Sequence, residues 1–204
     1  MNEESKKQTN APPSPLFRII PMADDPSHLG FICDLLTRPA TTAALHLNEI
    51  SAHDYSAFYQ EMRQGLTTAA AEEEQNHIVC LGTSPVAWLK LNGFRDDRLW
   101  ISMLVVHERY RRIGAGTFAL RFAEEFAVST GRKQIYIQTT ADNFAALALY
   151  RKADYEIIRE RNRQYEDGAE WITYTMRKTV LPRENTEENK SCRMIYPTEK
   201  REVL

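Results

Sequence analysis

The stretch 99–128 constrains the fold most, because it has the pattern of a strand followed directly by a turn and a helix. Residues 99–106 are apolar at both alternating positions apart from Ser102, which is typical of a strand covered on both faces. From Ala115 onward, apolar residues recur at helical spacing and form one stripe. Gly131 lies just beyond this stripe, where helices commonly end in a residue with positive φ. The stretch therefore predicts a strand–turn–helix unit.

The turn of this unit has the composition of an anion-binding site. It runs Arg109-Tyr110-Arg111-Arg112-Ile113-Gly114-Ala115-Gly116. The first backbone N–H groups of a helix have no partner within the helix, and the helix dipole adds partial positive charge there. Glycine lets those amides approach a ligand closely, and arginines add charge-assisted hydrogen bonds. The turn is therefore predicted to bind a pyrophosphate group.

The same turn resembles a family signature. The pattern Arg111-x-x-Gly114-x-Gly116 is similar to the Arg/Gln-x-x-Gly-x-Gly/Ala signature of the GNAT superfamily, the acyl-CoA-dependent N-acyltransferases. In that family the signature follows a long central strand, opens a helix and holds the pyrophosphate of coenzyme A. The resemblance implies that coenzyme A contacts Arg111, Arg112, Ile113, Gly114, Ala115, Gly116 and Thr117. It also implies that two parallel strands splay, so that backbone groups at the thioester come from Leu104, Val105 and Val106.

A second motif lies on the next strand–helix unit. Residues 143–155 resemble the pattern Asn-x-x-Ala-x-x-Leu-Tyr-x-Lys-x-Gly-Phe that is common in GNAT proteins. Tyr155 stands where the family has phenylalanine, and Asp154 stands where it has glycine. That position ends a helix and favours positive φ, which aspartate tolerates better than most residues. The chain matches the pattern at Asn143, Ala146, Leu149, Tyr150 and Lys152.

Asn143 and Tyr150 lie two helical turns apart and therefore share one face of the predicted helix. Asn143 is most simply an N-cap, and it can also hydrogen-bond an amide-rich ligand arm such as pantetheine. A tyrosine with an ordinary pKa of about 10 stays protonated at neutral pH. Tyr150 can thus donate a proton to the thiolate that leaves when an amine attacks a thioester, the role that the matching residue often has in the family. The alternative for Tyr150 is an ordinary half-buried packing residue.

The expected fold class is α/β (α+β), a single GNAT-like domain over residues 15–180. Its central sheet is expected to be mixed and mostly antiparallel, with a splayed parallel strand pair and flanking helices. The segments 1–14 and 181–204 are polar and are predicted to be disordered or mobile. Before the central unit, the patterns predict a helix over 27–36 and a loop over 37–50. They also predict a helix over 51–65, with Ser51 in its cap and Gly65 at its end.

Composition excludes several classes of protein. The 204 residues carry a formal net charge of −2, so no nucleic-acid partner is expected. The three cysteines are far apart, which argues against a disulfide framework or a metal site and fits a cytoplasmic setting. No apolar segment approaches the ~20 residues that span a bilayer, so no membrane partner is expected. A monomer or a homodimer fits equally well.

The sequence as a whole predicts an N-acetyltransferase that moves an acetyl group from acetyl-CoA to a primary amine. Direct attack in a ternary complex is expected, with Tyr150 as general acid and without a metal. The acceptor is expected to be a small molecule, and a peptide amine remains open. Two other functions also remain open: a catalytically silent acyl-CoA-binding or regulatory module, and a nicotinamide-dependent oxidoreductase using Gly114-x-Gly116-x-x-Ala119.

The general base is not readable from the sequence. Family members that acetylate protein N-termini carry a glutamate five residues before the asparagine. Here that position is Gln138, which cannot act as a base. Residues near the segments that usually wall the acceptor pocket are candidates, namely His46, His53 and Asp54.

Overall fold

The chain folds around one seven-stranded sheet, as seen in a computed structural model that describes residues 16–47, 54–68, 74–93, 97–164 and 170–180. The strand order is β1-β2-β3-β4-β5-β7-β6. The β4–β5 pair is parallel, and the other neighbours in the sheet pair antiparallel. This mixed, mostly antiparallel sheet with flanking helices confirms the predicted fold class.

The elements follow one another along the chain with short connections. The strands are β1 Phe17–Pro21, β2 Glu74–Leu81, β3 Ser84–Asn92, β4 Arg98–Val106, β5 Gln134–Thr140, β6 Glu156–Gln164 and β7 Glu170–Thr179. The helices are α1 Pro26–Thr37, α2 Pro39–Leu45, α3 Tyr55–Thr68, α4 Ala115–Ser129 and α5 Phe144–Lys152. A short 3-10 turn, Glu108–Tyr110, joins β4 to the approach of α4.

The parallel pair opens halfway along its length. Residues 98–101 of β4 pair with residues 134–137 of β5, and beyond Ile101 the two strands are no longer paired. On its other side, β4 stays paired with β3 as far as Val106. A register shift in that pairing leaves Ser102 without a partner on β3. The bulge and the divergence together produce the splayed strand pair that the sequence predicts.

Helices cover the two faces of the sheet differently. The larger core lies between the sheet and the α4–α5 side, where Ala119, Phe122 and Ala123 of α4 pack against Leu99 and Ile137. On the opposite face, α1 packs on β2 and β3, and side chains of α3 join the same cluster. The pleat of each strand therefore sends alternate side chains into two separate environments.

Local backbone geometry agrees with several predictions. The α4 helix ends at Ser129, and Gly131 follows with a φ of 74°. Asp154 adopts a φ of 63°, the left-handed conformation that explains why glycine is usual at this position. The α1 helix begins after Asp25, whose carboxylate accepts a hydrogen bond from the backbone N–H of Ser27 at 2.7 Å.

Three predictions about local structure were wrong. The segment 37–50, expected to be a loop, contains α2, because Pro39 occupies the first helical position, where its missing N–H costs nothing. Gly65 does not end α3, which continues to Thr68. The central strand is not covered on both faces, because Ser102 is exposed and Trp100 is only half-buried.

Other predictions concern residues beyond the described ranges. These are the segments 1–14 and 181–204, the candidate base His53 and the Ser51 cap. Among the helices that the structure describes, none is long and apolar enough to cross a membrane.

Candidate functional site

A cleft of about 530 Å³ opens where β4 leaves β5, between the N-terminus of α4 and one side of α5. Most of the predicted site residues line it: Leu104, Val105, Val106, Arg111, Arg112, Gly114, Gly116, Thr117, Asn143 and Tyr150. Ile113 and Ala115 do not line it. Ala115 is buried in the core, and Ile113 lies exposed on the outside of the turn. The volume suits a ligand of cofactor size.

The floor of the cleft near α4 is made of backbone. Gly114 precedes α4 with a φ of 103°, a conformation that L side chains rarely adopt, and Arg112 has a φ of 68°. The first helical hydrogen bond runs from Phe118 N–H to the Gly114 carbonyl at 2.9 Å. The amides of Gly116 and Thr117 therefore have no partner within the helix. Together with the positive end of the helix dipole, they present unpaired donors and partial positive charge at the start of α4.

Gly116 also serves the packing of the two helices. A Cβ atom at this position would lie 2.9 Å from Cδ2 of Leu149 on α5 and 3.7 Å from Cγ2 of Val106 on β4. Glycine thus allows α4 to approach both neighbours closely. The prediction from sequence gave Gly116 a role toward a ligand alone, and the structure adds this structural role.

Side-chain contacts fix the turn between β4 and α4. The Arg111 Nε donates to the carbonyl of Val106 at 3.3 Å. Arg38, at the junction of α1 and α2, forms ion pairs with Asp34 at 2.9 Å and Glu108 at 3.0 Å, and these raise the pKa of Arg38. Because the carboxylates are exposed, each pair adds little stability, and their role is to hold the turn against α1.

Asn143 is the N-cap of α5. Its Oδ1 accepts from the backbone N–H of Ala146 at 3.2 Å, and its Nδ2 donates to the carbonyl of Ala44 at 3.3 Å. The second bond ties the start of α5 to α2. An amide nitrogen carries two N–H groups, so one donor of Asn143 is left for a ligand in the cleft.

Tyr150 lies on the cleft side of α5, with its side chain only 5% exposed. Burial raises the pKa of its hydroxyl above the ordinary value for tyrosine, so this hydroxyl is protonated throughout the neutral range. Tyr155 has its ring centroid 6.1 Å away and is also buried, and burial raises its pKa as well. It does not line the cleft, and its hydroxyl has no hydrogen-bond partner within the described residues.

The α2 helix supplies a wall that the sequence interpretation missed. Thr41, Ala44 and Leu45 line the cleft opposite α5. The signal was present in the sequence, since proline at a first helical position followed by alanines and a leucine favours a helix. The sequence interpretation predicts a loop here because the stretch contains Pro39 and a run of small residues.

The candidate base His46 lies at the end of α2, in the left-handed conformation with a φ of 51°. Its Nε2 is 3.2 Å from Oδ2 of Asp142, and its ring centroid is 3.6 Å from that of Trp171 on β7. The pKa of Asp142 is lowered, first by the hydroxyl of Thr140 and then by His46. This cluster joins α2 to the ends of β5 and β7. Asp54, the other described candidate, is exposed just before α3.

Two further positions limit the chemistry of the site. Gln138 is exposed on β5, and its Nε2 donates to Oγ1 of Thr175 at 3.1 Å, so this position carries a neutral amide. Cys33 and Cys80 are free and buried, and burial raises the pKa of Cys33 to about 11. In the part of the chain that the structure describes, no three His, Cys, Asp or Glu residues are grouped to hold a metal ion.

Comparison with known proteins adds independent evidence. Residues 32–155, more than half of the chain, match the family model described as Acetyltransferase (GNAT) family. A curated relative, the uncharacterized N-acetyltransferase YobR of Bacillus subtilis (strain 168), is 36% identical over 89 residues. That alignment covers 44% of this chain and 33% of the relative, so the chain spans about a third of the length of the curated relative it matches.

Solved structures show the same fold at low identity. The ribosomal-protein-S18-alanine N-acetyltransferase of Escherichia coli has a TM-score of 0.60 and 17% identity, and the match covers 84% of this chain and 99% of that chain. Spermidine N-acetyltransferase of Vibrio cholerae, solved with CoA and spermine, has a TM-score of 0.66 and 11% identity over 80% of this chain and 95% of that chain. At such identities the likeness establishes the fold alone.

Proposed function

Since the chain belongs to the GNAT acetyltransferase family, we propose that it transfers an acetyl group from acetyl-CoA to a primary amine by direct attack in a ternary complex. The observation that carries the proposal is the cleft where β4 and β5 diverge. It has an anion-binding helix end at one side and a buried, protonated tyrosine at the other. These two features are what a phosphate-bearing thioester and its leaving thiolate require.

Acetyl-CoA is held chiefly through backbone groups and charge in this proposal. The amides of Gly116 and Thr117 receive the pyrophosphate, and Arg111 and Arg112 neutralise its charge. The pantetheine arm runs along β4, with the free donor of Asn143 available to one of its amides. The left-handed backbone at Gly114 supports this placement of acetyl-CoA. Because glycine has no side chain, the turn before α4 leaves room for the pyrophosphate.

The β4 residues after the bulge stabilise the reacting carbonyl. Leu104, Val105 and Val106 line the cleft, and β5 does not pair with this part of β4. An amide on the open side of the strand donates to the carbonyl oxygen as negative charge develops there. Such a group is fixed by the sheet before substrate arrives, so it needs no reorganisation during the reaction.

Tyr150 completes the transfer as general acid. The amine nitrogen forms a bond to the carbonyl carbon, the bond from that carbon to sulfur breaks, and the phenolic proton moves to the sulfur. The nitrogen then loses the proton that it carries in excess of an amide, and an equivalent proton from solvent restores the phenol. The raised pKa of Tyr150 guarantees the protonated form before the step and favours its recovery afterward. The amine must arrive without its own extra proton, and His46, which directly follows the α2 wall of the cleft, is our candidate to remove it.

The simplest test measures release of coenzyme A from acetyl-CoA over a panel of small amines and short peptides. We expect acceptor-dependent release for at least one class and binding of acetyl-CoA in its absence. A silent acyl-CoA-binding module would bind acetyl-CoA and release nothing above the rate of hydrolysis. The oxidoreductase alternative is disfavoured, because the described sheet has one parallel pair and lacks the successive parallel strands of a dinucleotide-binding fold.

The proposal also covers the bounds of the catalytic domain and the oligomeric state. The catalytic domain is taken to span residues 15–180, with 1–14 and 181–204 dispensable for transfer. A monomer and a homodimer are equally compatible with a cleft built within one chain.

A further inference from the structure

The face of the sheet opposite α4 and α5 bears aromatic and basic side chains where α1 and α3 do not cover it. Residues directly paired across neighbouring strands project to the same face. Trp100 pairs with Tyr136, Tyr136 with Arg177, and Gln138 with Thr175. Across β6, Thr175 pairs with Arg159 and Thr173 with Arg161. We call this surface the open face; it comprises Trp100, Ser102, Tyr136, Gln138, Arg159, Arg161, Thr173, Thr175 and Arg177.

The open face carries uncompensated positive charge. Arg159 and Arg161 are exposed and Arg177 is half-buried, and none of them forms an ion pair with the residues that the structure describes. One carboxylate shares the face on β6, that of Glu156, which pairs in register with Arg177. The chain as a whole has a formal net charge of −2, so this is a local concentration and not a general basicity.

The carboxylates at the borders of the open face already have cationic or histidine partners. At one edge, Glu74 pairs with Lys90 at 2.7 Å. At the other, Asp142 lies 3.2 Å from Nε2 of His46. Of these described carboxylates, therefore, only Glu156, in register with Arg177, competes with an incoming anion, whereas Arg159 and Arg161 lie opposite threonines.

The open face leads to the reacting centre. Ser102 and Gln138 lie just beyond the last paired residues of β4 and β5, on the face away from α4. The proposed function places coenzyme A on the α4–α5 side of this gap. An amine must then reach the carbonyl carbon from the other side, across the open face.

We propose that the acceptor amine belongs to an acidic peptide, whose carboxylates bind Arg159, Arg161 and Arg177 while its amine enters the gap beside Ser102 and Gln138. This inference rests on the proposed function and assigns its substrate class. Neighbouring strands are about 4.8 Å apart, so the arginines of β7 and β6 lie one and two strand spacings from β5. A peptide advances about 3.3 Å per residue, so carboxylates within the first few residues after the amine reach them.

The chemistry of the face selects this class over polyamines. Guanidinium groups bind carboxylates through two parallel hydrogen bonds. The stacked rings of Trp100 and Tyr136, whose centroids are 5.0 Å apart, form an apolar surface on which a peptide chain can pack. A polycation would meet like charge at Arg159, Arg161 and Arg177, which costs affinity and slows encounter.

The test uses the full chain, acetyl-CoA and peptides with the same N-terminal alanine. The next three residues are acidic in one peptide, the corresponding amides in the second and arginines in the third. We expect kcat/KM to be at least about tenfold higher for the acidic peptide than for the amide peptide, and lowest for the arginine peptide. Added salt should shrink this preference by screening.

Variants locate the preference on the open face. Replacing Arg159, Arg161 and Arg177 together by glutamine should raise KM for the acidic peptide to that of the amide peptide and leave acetyl-CoA affinity unchanged. Arg121→Gln, an exposed arginine on α4, is the matched control and should change neither value.

Three outcomes would overturn the inference: no preference for the acidic peptide, a preference that persists in the triple variant, or acetylation of none of the peptides. Acetyl-CoA binding and turnover of small amines, measured on the same samples, show whether the proposed function survives. The proposed function fails separately if acetyl-CoA does not bind or if no amine of any class is acetylated.

Discussion

The two faces of the sheet around the β4–β5 gap are built from different groups. On the α4–α5 side, the cleft is lined by glycines, small and apolar side chains, Tyr150 and the arginines of the turn before α4, and it lies beside the larger core. On the open face, polar, aromatic and basic side chains project from β4, β5, β6 and β7. The first side offers fixed backbone groups to a ligand, and the second offers the side chains that the strands carry.

This contrast shows that the two sides differ in how strongly they constrain the sequence. A backbone site needs a particular local conformation, such as the φ of 103° at Gly114, and that conformation demands particular residues at fixed spacing. A side-chain site on a sheet demands no special backbone, because every second residue of a strand already projects to that face. The turn before α4 is therefore specified by a few neighbouring residues, whereas the open face is specified across four strands.

The largest effect is expected at Tyr150, which lines the cleft on the α4–α5 side of the sheet. Tyr150→Phe should lower kcat and kcat/KM together by about 10²–10⁴-fold, because the hydroxyl acts in the transition state. Steady-state kinetics and calorimetry with acetyl-CoA measure the change, and the affinity for acetyl-CoA should stay near that of the wild type. Since burial raises the pKa of Tyr150, no alkaline fall in rate due to this group is expected near pH 10.

Tyr155→Phe is the matched control for Tyr150→Phe. It removes a hydroxyl from an equally buried ring that does not line the cleft and has no described hydrogen-bond partner. Activity should be unchanged, and stability equal or slightly higher, because an unsatisfied buried hydroxyl is lost. Equal activities for the two variants and the wild type would show that Tyr150 is only a packing residue.

A smaller but still large effect is expected at Gly116. A Cβ there would lie 2.9 Å from Cδ2 of Leu149, so Gly116→Val should force the Leu149 side chain to move and should also block the helix end. We expect acetyl-CoA affinity to fall by about tenfold or more and the melting temperature to fall as well. Calorimetry and thermal unfolding measure the two effects.

The control for Gly116→Val is a glycine with free space around it. Gly65 lies within α3, and a Cβ there would meet nothing within 4 Å. Gly65→Ala should stabilise the fold by roughly 0.5–1 kcal/mol without changing acetyl-CoA affinity. If Gly116→Val binds acetyl-CoA as tightly as the wild type, the helix end is not the pyrophosphate site.

The α4–α5 side of the sheet also carries a buried histidine whose titration affects the free energy of unfolding. His77 packs its ring against Phe122 at 4.8 Å, and burial lowers its pKa to about 4. The unfolded chain takes up this proton near pH 6.5, so stability is lost as the pH falls from about 6.5 toward 4. We expect roughly 2 kcal/mol of this loss between pH 7 and pH 5.

Denaturant unfolding of the wild type and His77→Leu at both pH values isolates this effect. The variant should show a smaller change in the free energy of unfolding than the wild type. An identical pH dependence in the two proteins would assign the acid sensitivity to other groups.

The smallest effect is expected from removing both ends. A protein spanning 15–182 should keep its melting temperature within a few degrees and retain its activity, because both faces of the sheet lie within residues 16–180. Thermal unfolding and the coenzyme A release assay measure this. A large loss of stability would show that an end of the chain packs on the domain, and the open face would be the first place to look for it.

The predictability of each part of the molecule follows from the same contrast. The β4–α4 unit and α5 were predictable because helical spacing, glycine positions and an N-cap are local signals, as the φ of 63° at Asp154 illustrates. The α2 helix was harder to predict. It has only seven residues and no apolar stripe, so its helical pattern was outweighed by the presence of a proline. The arginines of the open face come together only through the pairing of β7 with β5 and β6, which no local pattern specifies.

The alternation along β5 has an evolutionary consequence. Ile135 and Ile137 face the core, whereas Tyr136 and Gln138 between and beyond them face outward. Replacing an outward residue leaves the core side chains of β5 and the backbone of the neighbouring gap in place. Under the proposed function, a lineage with this sheet can therefore change the groups that meet the acceptor by single substitutions on β5, while the side proposed to hold the acetyl donor is inherited unchanged.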